Sequence, residues 1–129
     1  MRIFDKAKAI LAETLSSPTK DSYVTVVDGK LVTLREGGNY RNMNLRGANL
    51  RGAHLAGINL EGADLTDAIV ENAHFNGANL RGVRFRNADI SGADFTGATL
   101  DTGERVIRGA RAYSPPIGVI VVGGDNNGD

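Results

Sequence analysis

Between Arg41 and Thr102 the pattern of apolar and polar positions recurs every five residues, through twelve units with no insertion. One position in five is large and apolar: Leu45, Leu50, Leu55, Leu60, Leu65, Val70, Phe75, Leu80, Phe85, Ile90, Phe95 and Leu100. Two residues earlier stands a smaller or apolar residue, in most units alanine, as at Ala48, Ala63, Ala78 and Ala93. On an α-helix a period of five would carry the apolar position about 140° around the axis at each step and scatter it over every face. In an extended segment residues two apart point to the same side, so the alanine and leucine columns face inward together and the polar residue between them faces out. Each unit is therefore a very short strand. The last two positions must turn the chain, and the second of them is Gly47, Gly52, Gly57, Gly62, Asp67, Asn72, Gly77, Gly82, Asn87, Gly92, Gly97 or Thr102. Most of these tolerate a positive φ or stabilise turns through their side chains.

A chain that alternates strand and corner with one inward face winds into a solenoid whose coils stack and share a continuous core. Blocks such as Ala48-Asn49-Leu50-Arg51-Gly52, Ala78-Asn79-Leu80-Arg81-Gly82 and Ala93-Asp94-Phe95-Thr96-Gly97 resemble the pentapeptide-repeat family. That resemblance implies a right-handed, four-sided parallel β-helix with twenty residues per coil, here an all-β solenoid of about three coils. The charges alone leave the coil length open. Stacking at twenty pairs Arg51 with Glu71, and Glu61 with Arg81, whereas stacking at fifteen pairs Arg46 with Glu61, and Glu71 with Arg86.

The flanking segments predict caps or arms. Residues 1–20 carry an amphipathic helix, with Ile3, Phe4, Ala7, Ile10, Leu11 and Leu15 at helical spacing and Ser16-Ser17-Pro18 stopping the run. Residues 21–40 read as a β-hairpin cap, because Asp28-Gly29 suits a tight two-residue turn between Tyr23-Val24-Thr25-Val26-Val27 and Leu31-Val32-Thr33-Leu34. After the repeats of residues 41–102, residues 103–129 form a C-terminal cap, strand and tail. The register fails at Gly103-Glu104-Arg105, where an arginine would face inward, and a degenerate turn resumes after a two-residue slip at Ile107-Arg108-Gly109-Ala110. Beyond Pro115-Pro116, the run Ile117-Gly118-Val119-Ile120-Val121-Val122 reads as a buried strand, expected either to cover the last coil or to pair with a neighbouring subunit. Ile117, Val119, Ile120, Val121 and Val122 are thus the candidate interaction residues.

Composition narrows the function classes. Fifteen basic residues balance fifteen acidic ones, so no overall field draws nucleic acid or a membrane surface. The chain has no cysteine, which excludes disulfides and thiolate metal sites and fits a reducing compartment. A charged, interrupted N-terminal segment and the absence of a long apolar run point to a soluble protein, cytoplasmic or in a virion, without a classical secretion signal.

Candidate chemistry is sparse. At twenty residues per coil His54, His74 and Asp94 form one outward column that could hold a divalent metal such as zinc, though an exposed ladder is the plainer account and no metal or cofactor is assigned. Asp125, Asn127 and Asp129 alternate like the start of a calcium loop but lack its bidentate glutamate. Arg105, Arg108 and Arg111 read as a solvated stripe, and no nucleophile, base and orienting acid form a recognisable set. The chain is accordingly expected to be a non-catalytic structural or scaffold protein, self-associating or part of a larger assembly such as a phage capsid decoration or virion. The alternative follows from the resemblance: some members are acidic rods that bind type II topoisomerases such as DNA gyrase as DNA mimics. A mimic needs about eight negative charges over a column of roughly 14 Å. Residues 41–102 carry seven acids against six arginines, a net of minus one.

Overall fold

The computed structural model describes residues 22–101 and 105–123; the helix expected over residues 1–20 and the tail 124–129 lie outside them. From Asn39 to Asn79 the outward residue of each unit forms a parallel bridge with the residue twenty positions later. Four columns run side by side: Asn39, Asn59, Asn79 and Thr99; Asn44, Asp64 and Arg84; Asn49, Ile69 and Asp89; His54, His74 and Asp94. Stacking is therefore at twenty residues, and the Arg51–Glu71 ion pair at 2.9 Å belongs to that register. Each bridge is a pair of backbone bonds. Asp64 N donates to Met43 O at 3.0 Å, and Leu45 N donates to Asp64 O at 2.9 Å.

The corners explain the fifth position. Ala48 N donates to Leu45 O at 3.1 Å, and Gly47 between them takes φ +67°. Where glycine is replaced, Asp67, Asn72 and Asn87 take φ values of 63°, 59° and 59°. Asp and Asn are the residues that enter this region at least cost, because their short polar side chains bond locally.

All twelve residues of the large apolar column are buried, and the alanines of the second column join them. Phe75 and Phe95, one coil apart on one wall, stack with ring centroids 5.6 Å apart. Phe85 meets Phe95 edge-on from another wall at 6.0 Å, so the aromatic rings fill the tube across its width as well as along it.

A fourth, degenerate coil follows the register break. Asp89 bridges Arg111, twenty-two residues on, and Ile107 and Ala110 are buried like the columns below them. The slip grows to twenty-three at the bridge of Asp94 with Ile117. Strand β3 (Val106–Arg108) begins this coil and pairs in parallel with β4 (Ile120–Val122), which lies over it. The expected buried strand over residues 117–122 is thus corrected. Only residues 120–122 are strand, Ile117 and Ile120 are exposed, and Val119 and Val121 are half-buried against the core of their own chain. The physical reason is position: β4 has β3 beneath it and, among the described residues, no further coil above.

At the other end β1 (Ser22–Val27) and β2 (Lys30–Arg35) form an antiparallel hairpin. Asp28 and Gly29 both have positive φ, at 52° and 77°, the pairing that matches the twist of a two-residue hairpin. Val27 and Leu34 are buried, and Thr25 Oγ1 donates to Asn49 O at 3.0 Å, which fastens the hairpin to the first coil. The opposite face leaves Val26 and Leu31 about half exposed, as cross-strand partners.

Candidate functional site

The outward polar column is constrained by the fold rather than left free. Eight of its Asn and Asp side chains (Asn39, Asn44, Asn49, Asn59, Asp64, Asn79, Asp89 and Asp94) accept a hydrogen bond from the backbone N–H two residues later, at 3.0 to 3.3 Å. This side-chain turn closes each corner. Where the acceptor is Asp and the next residue but one is Thr or Ser, the hydroxyl adds a second bond, as Thr96 Oγ1 does to Asp94 Oδ1 at 2.6 Å. His54, Ile69, His74, Arg84 and Thr99 occupy equivalent outward positions in the four columns without that bond. What they do there is set by something other than the corner.

The histidine column exists as a stack. The rings of His54 and His74 are nearly parallel, 4.7 Å between centroids and 4° between planes, and His74 bridges Asp94 through the backbone. Face-to-face imidazoles carry their nitrogens at the ring edges, where they do not converge. The Asp94 carboxylate is already occupied by Thr96 and by Asn76 Nδ2 at 2.9 Å. Hydrogen bonds from the Thr96 side chain, Asn76 and the Thr96 backbone hold its pKa below 3.8, against a smaller desolvation effect. Among the described residues no group of three or more His, Cys, Asp or Glu side chains is placed to hold a metal ion.

A second feature lies where the fourth coil departs from the third: a cleft of about 630 Å³ over buried Leu80 and Ile107. Arg46, Arg84, Arg86 and Arg108 line it. Asp64 sits beside them, 3.3 Å from Arg46 and 4.0 Å from Arg84. Desolvation alone would raise the Asp64 pKa; bonds from Thr66 and Arg46, with the nearby guanidinium charge, bring it below its ordinary value. Sequence reasoning counted Arg46, Arg84 and Arg86 only as charges and read Arg108 as part of a solvated stripe. The signal that would have found them is the twenty-residue column itself, which puts Arg46, Thr66 and Arg86 on one corner and, after the slip, Arg108 above.

Residues 44–82 and 70–101 match the family model "Pentapeptide repeats", in eight copies. Residues 44–101 are pentapeptide repeats. Their fold is the right-handed β-helix of that family. Among solved structures the chain is similar to a pentapeptide-repeat protein from the thylakoid lumen of Arabidopsis thaliana, with 26% identity, a TM-score of 0.56, and coverage of 63% of this chain and 55% of that one. It also matches QnrB1, a plasmid-mediated fluoroquinolone resistance protein, with 25% identity, a TM-score of 0.28, and coverage of 60% and 46%. The chain thus spans about half the length of these relatives. No curated protein matches it. No enzyme family is among the findings.

Two corners of this pentapeptide-repeat column carry complementary charges across coils, Arg41 with Glu61 at 3.3 Å and Arg51 with Glu71 at 2.9 Å. Of the candidate interaction residues near the C-terminus, Ile117 and Ile120 reach solvent at 54% and 63% exposure, while Val119, Val121 and Val122 are half-buried. Tyr113, in the same terminal layer, is 52% exposed. Of the arginine stripe, Arg105 turns back onto the protein, donating from Nε to Gly118 O at 2.8 Å and from its terminal nitrogens to Ala98 O and Phe95 O. Among the described residues no helix is long and apolar enough to cross a membrane.

Proposed function

We propose that this chain is a non-catalytic scaffold that joins a protein assembly, copies of itself included, through the C-terminal end of its column. In this reading the four bridge columns are the four walls of a tube about three coils long, with the degenerate coil above them. The hairpin, the N-terminal segment and β4 serve as its caps or arms. The observation that carries the proposal is the concentration of exposed Tyr113, Ile117 and Ile120 within eight residues of the terminal layer. Apolar side chains gathered at the last coil of a solenoid are the ones a partner would bury. A cytoplasmic or virion location, with a phage capsid decoration as one such setting, belongs to the same proposal.

The test is light scattering of the purified chain beside an Ile117→Asp, Ile120→Asp variant. Self-association that the double variant abolishes supports the proposal. Monomers in both cases remove self-assembly from it. The second reading, a gyrase-binding DNA mimic, predicts inhibition of supercoiling at micromolar protein; weighing against it are the charge pairs that neutralise two corners and the arginines that crowd a third.

A further inference from the structure

The geometry points to the arginine-lined cleft as a binding site for a small ligand with two or more linked phosphoryl groups, free or as a nucleotide's phosphate tail. The first ground is the departure from the repeat at position 84. The corresponding positions one and two coils below hold Asp64 and Asn44, each bonded to its own corner, and Arg84 gives up that bond to project into solvent with 75% of its side chain exposed. A guanidinium there does nothing for the corner.

The second ground is alignment. Arg46, Thr66 and Arg86 lie on successive coils of one corner, held by Gly47 N to Thr66 O at 2.9 Å and Asp67 N to Arg86 O at 2.9 Å. Arg108 sits one layer above, where Asn87 N donates to Gly109 O at 2.9 Å. At about 4.8 Å per layer the outer arginines span about 14 Å, too far for one phosphoryl group to bridge and suited to a chain of them. Guanidinium forks match phosphate oxygens bidentately, which a point charge cannot do.

The third ground is the charge balance. Four arginines face three carboxylates (Asp64, Asp67 and Asp101), leaving one net positive charge in a cleft of ligand size. One of those carboxylates is engaged outside the arginine group, since Asp101 accepts from Gly82 N, while Asp64 divides its oxygens, Oδ1 accepting from Thr66 and Oδ2 pairing with Arg46 and Arg84. Among the described residues neither Arg86 nor Arg108 has an ion-pair partner for its side chain. The site is independent of the scaffold proposal, because Tyr113, Ile117 and Ile120 do not line the cleft.

Calorimetric titration of the full chain at low salt, with tripolyphosphate and separately with ATP, tests the inference. Expected is saturable one-to-one binding that weakens as salt rises. Arg84→Asn installs the residue the repeat uses at this position, so the fold persists by circular dichroism while binding falls about tenfold or more. Arg86→Gln weakens it comparably, and Arg51→Gln, on a different corner, leaves it unchanged. Equal affinity for the two probes assigns the site to free polyphosphate, and tighter ATP binding assigns it to a nucleotide. The inference is overturned if neither probe binds at low millimolar concentration, if R84N binds like the wild type, or if R51Q loses as much affinity as R84N. A single-stranded oligonucleotide that binds more tightly than both probes would also sink it.

Discussion

Replacing Arg105 by alanine tests how the column is closed at its C-terminal end. Along one wall each small inward residue passes its carbonyl to the coil above: Gly38 O accepts from Asn59 N, Ile58 O from Asn79 N, and Ala78 O from Thr99 N, at 2.8 to 2.9 Å. At Ala98 the ladder stops, and the Arg105 guanidinium takes the missing place. It also bonds Phe95 O and Gly118 O, tying the last regular coil to the segment that leads into β4. A hydrogen bond with one charged partner contributes about 1.5–3 kcal/mol. Three would sum to about 4.5–9 kcal/mol, and the half-buried setting and the ability of water to replace some of them bring the expected loss to about 3 kcal/mol. At roughly 3–5 °C per kcal/mol for a chain of this size, Tm falls by about 10–15 °C. Urea unfolding followed by circular dichroism measures this, with Arg105→Met as the companion that keeps the apolar stem and loses the donors. Because coils contact only their neighbours, hydrogen exchange in R105A should lose protection first at the amides of Gly109, Arg111, Ile117 and Ile120, while Leu50 and Leu65 stay protected. An R105A protein within about 0.5 kcal/mol of the wild type would refute the capping argument, as would an R105M protein at least as stable as the parent.

Leu65, fully buried at mid-column, should cost about 3–4 kcal/mol when truncated to alanine, since neighbouring coils cannot collapse into the space without breaking their ladders; a loss under about 1 kcal/mol in the same urea assay would contradict a tightly packed tube. Because the folded-state pKa values of Asp64 and Asp94 lie below 3.8, their bonds stabilise the fold fully above the ordinary carboxylate range, and that contribution is lost as pH falls through the lowered values. Asp94→Asn removes one of these titrations, so stability measured from pH 7 to pH 2 should drop less steeply in acid, with a penalty at neutral pH of a few tenths to about 1 kcal/mol after solvent screening. An unchanged acid slope would mean that these hydrogen bonds do not favour the ionised form.

How much was legible in the sequence differs by feature. The inward columns could be read because burial selects residue type at every fifth position without exception. The hairpin could be read from Asp28-Gly29, since few dipeptides accept two consecutive positive φ values. The role of the outward Asn and Asp residues could not: polarity alone does not distinguish a solvated side chain from one bonded to its own corner. Arg105 misled in the opposite way. An inward arginine marks a broken repeat when read as hydropathy, and in three dimensions it is the donor that ends the ladder. The run from Ile117 to Val122 promised a buried strand because β-propensity carries no information on whether a layer lies above it.

The sequence by itself determined the period, the inward faces and the corners, because these depend on interactions between residues at most a few positions apart and on a burial requirement repeated twelve times. Only the tertiary structure decided what depends on the coil length and on the ends. It set the twenty-residue stacking that joins Arg51 to Glu71, stacks His54 on His74 and gathers Arg46, Arg84, Arg86 and Arg108 around one cleft. The reason is physical: a local pattern sets how each unit bends, whereas the meeting of residues twenty or more positions apart requires the whole coil to close.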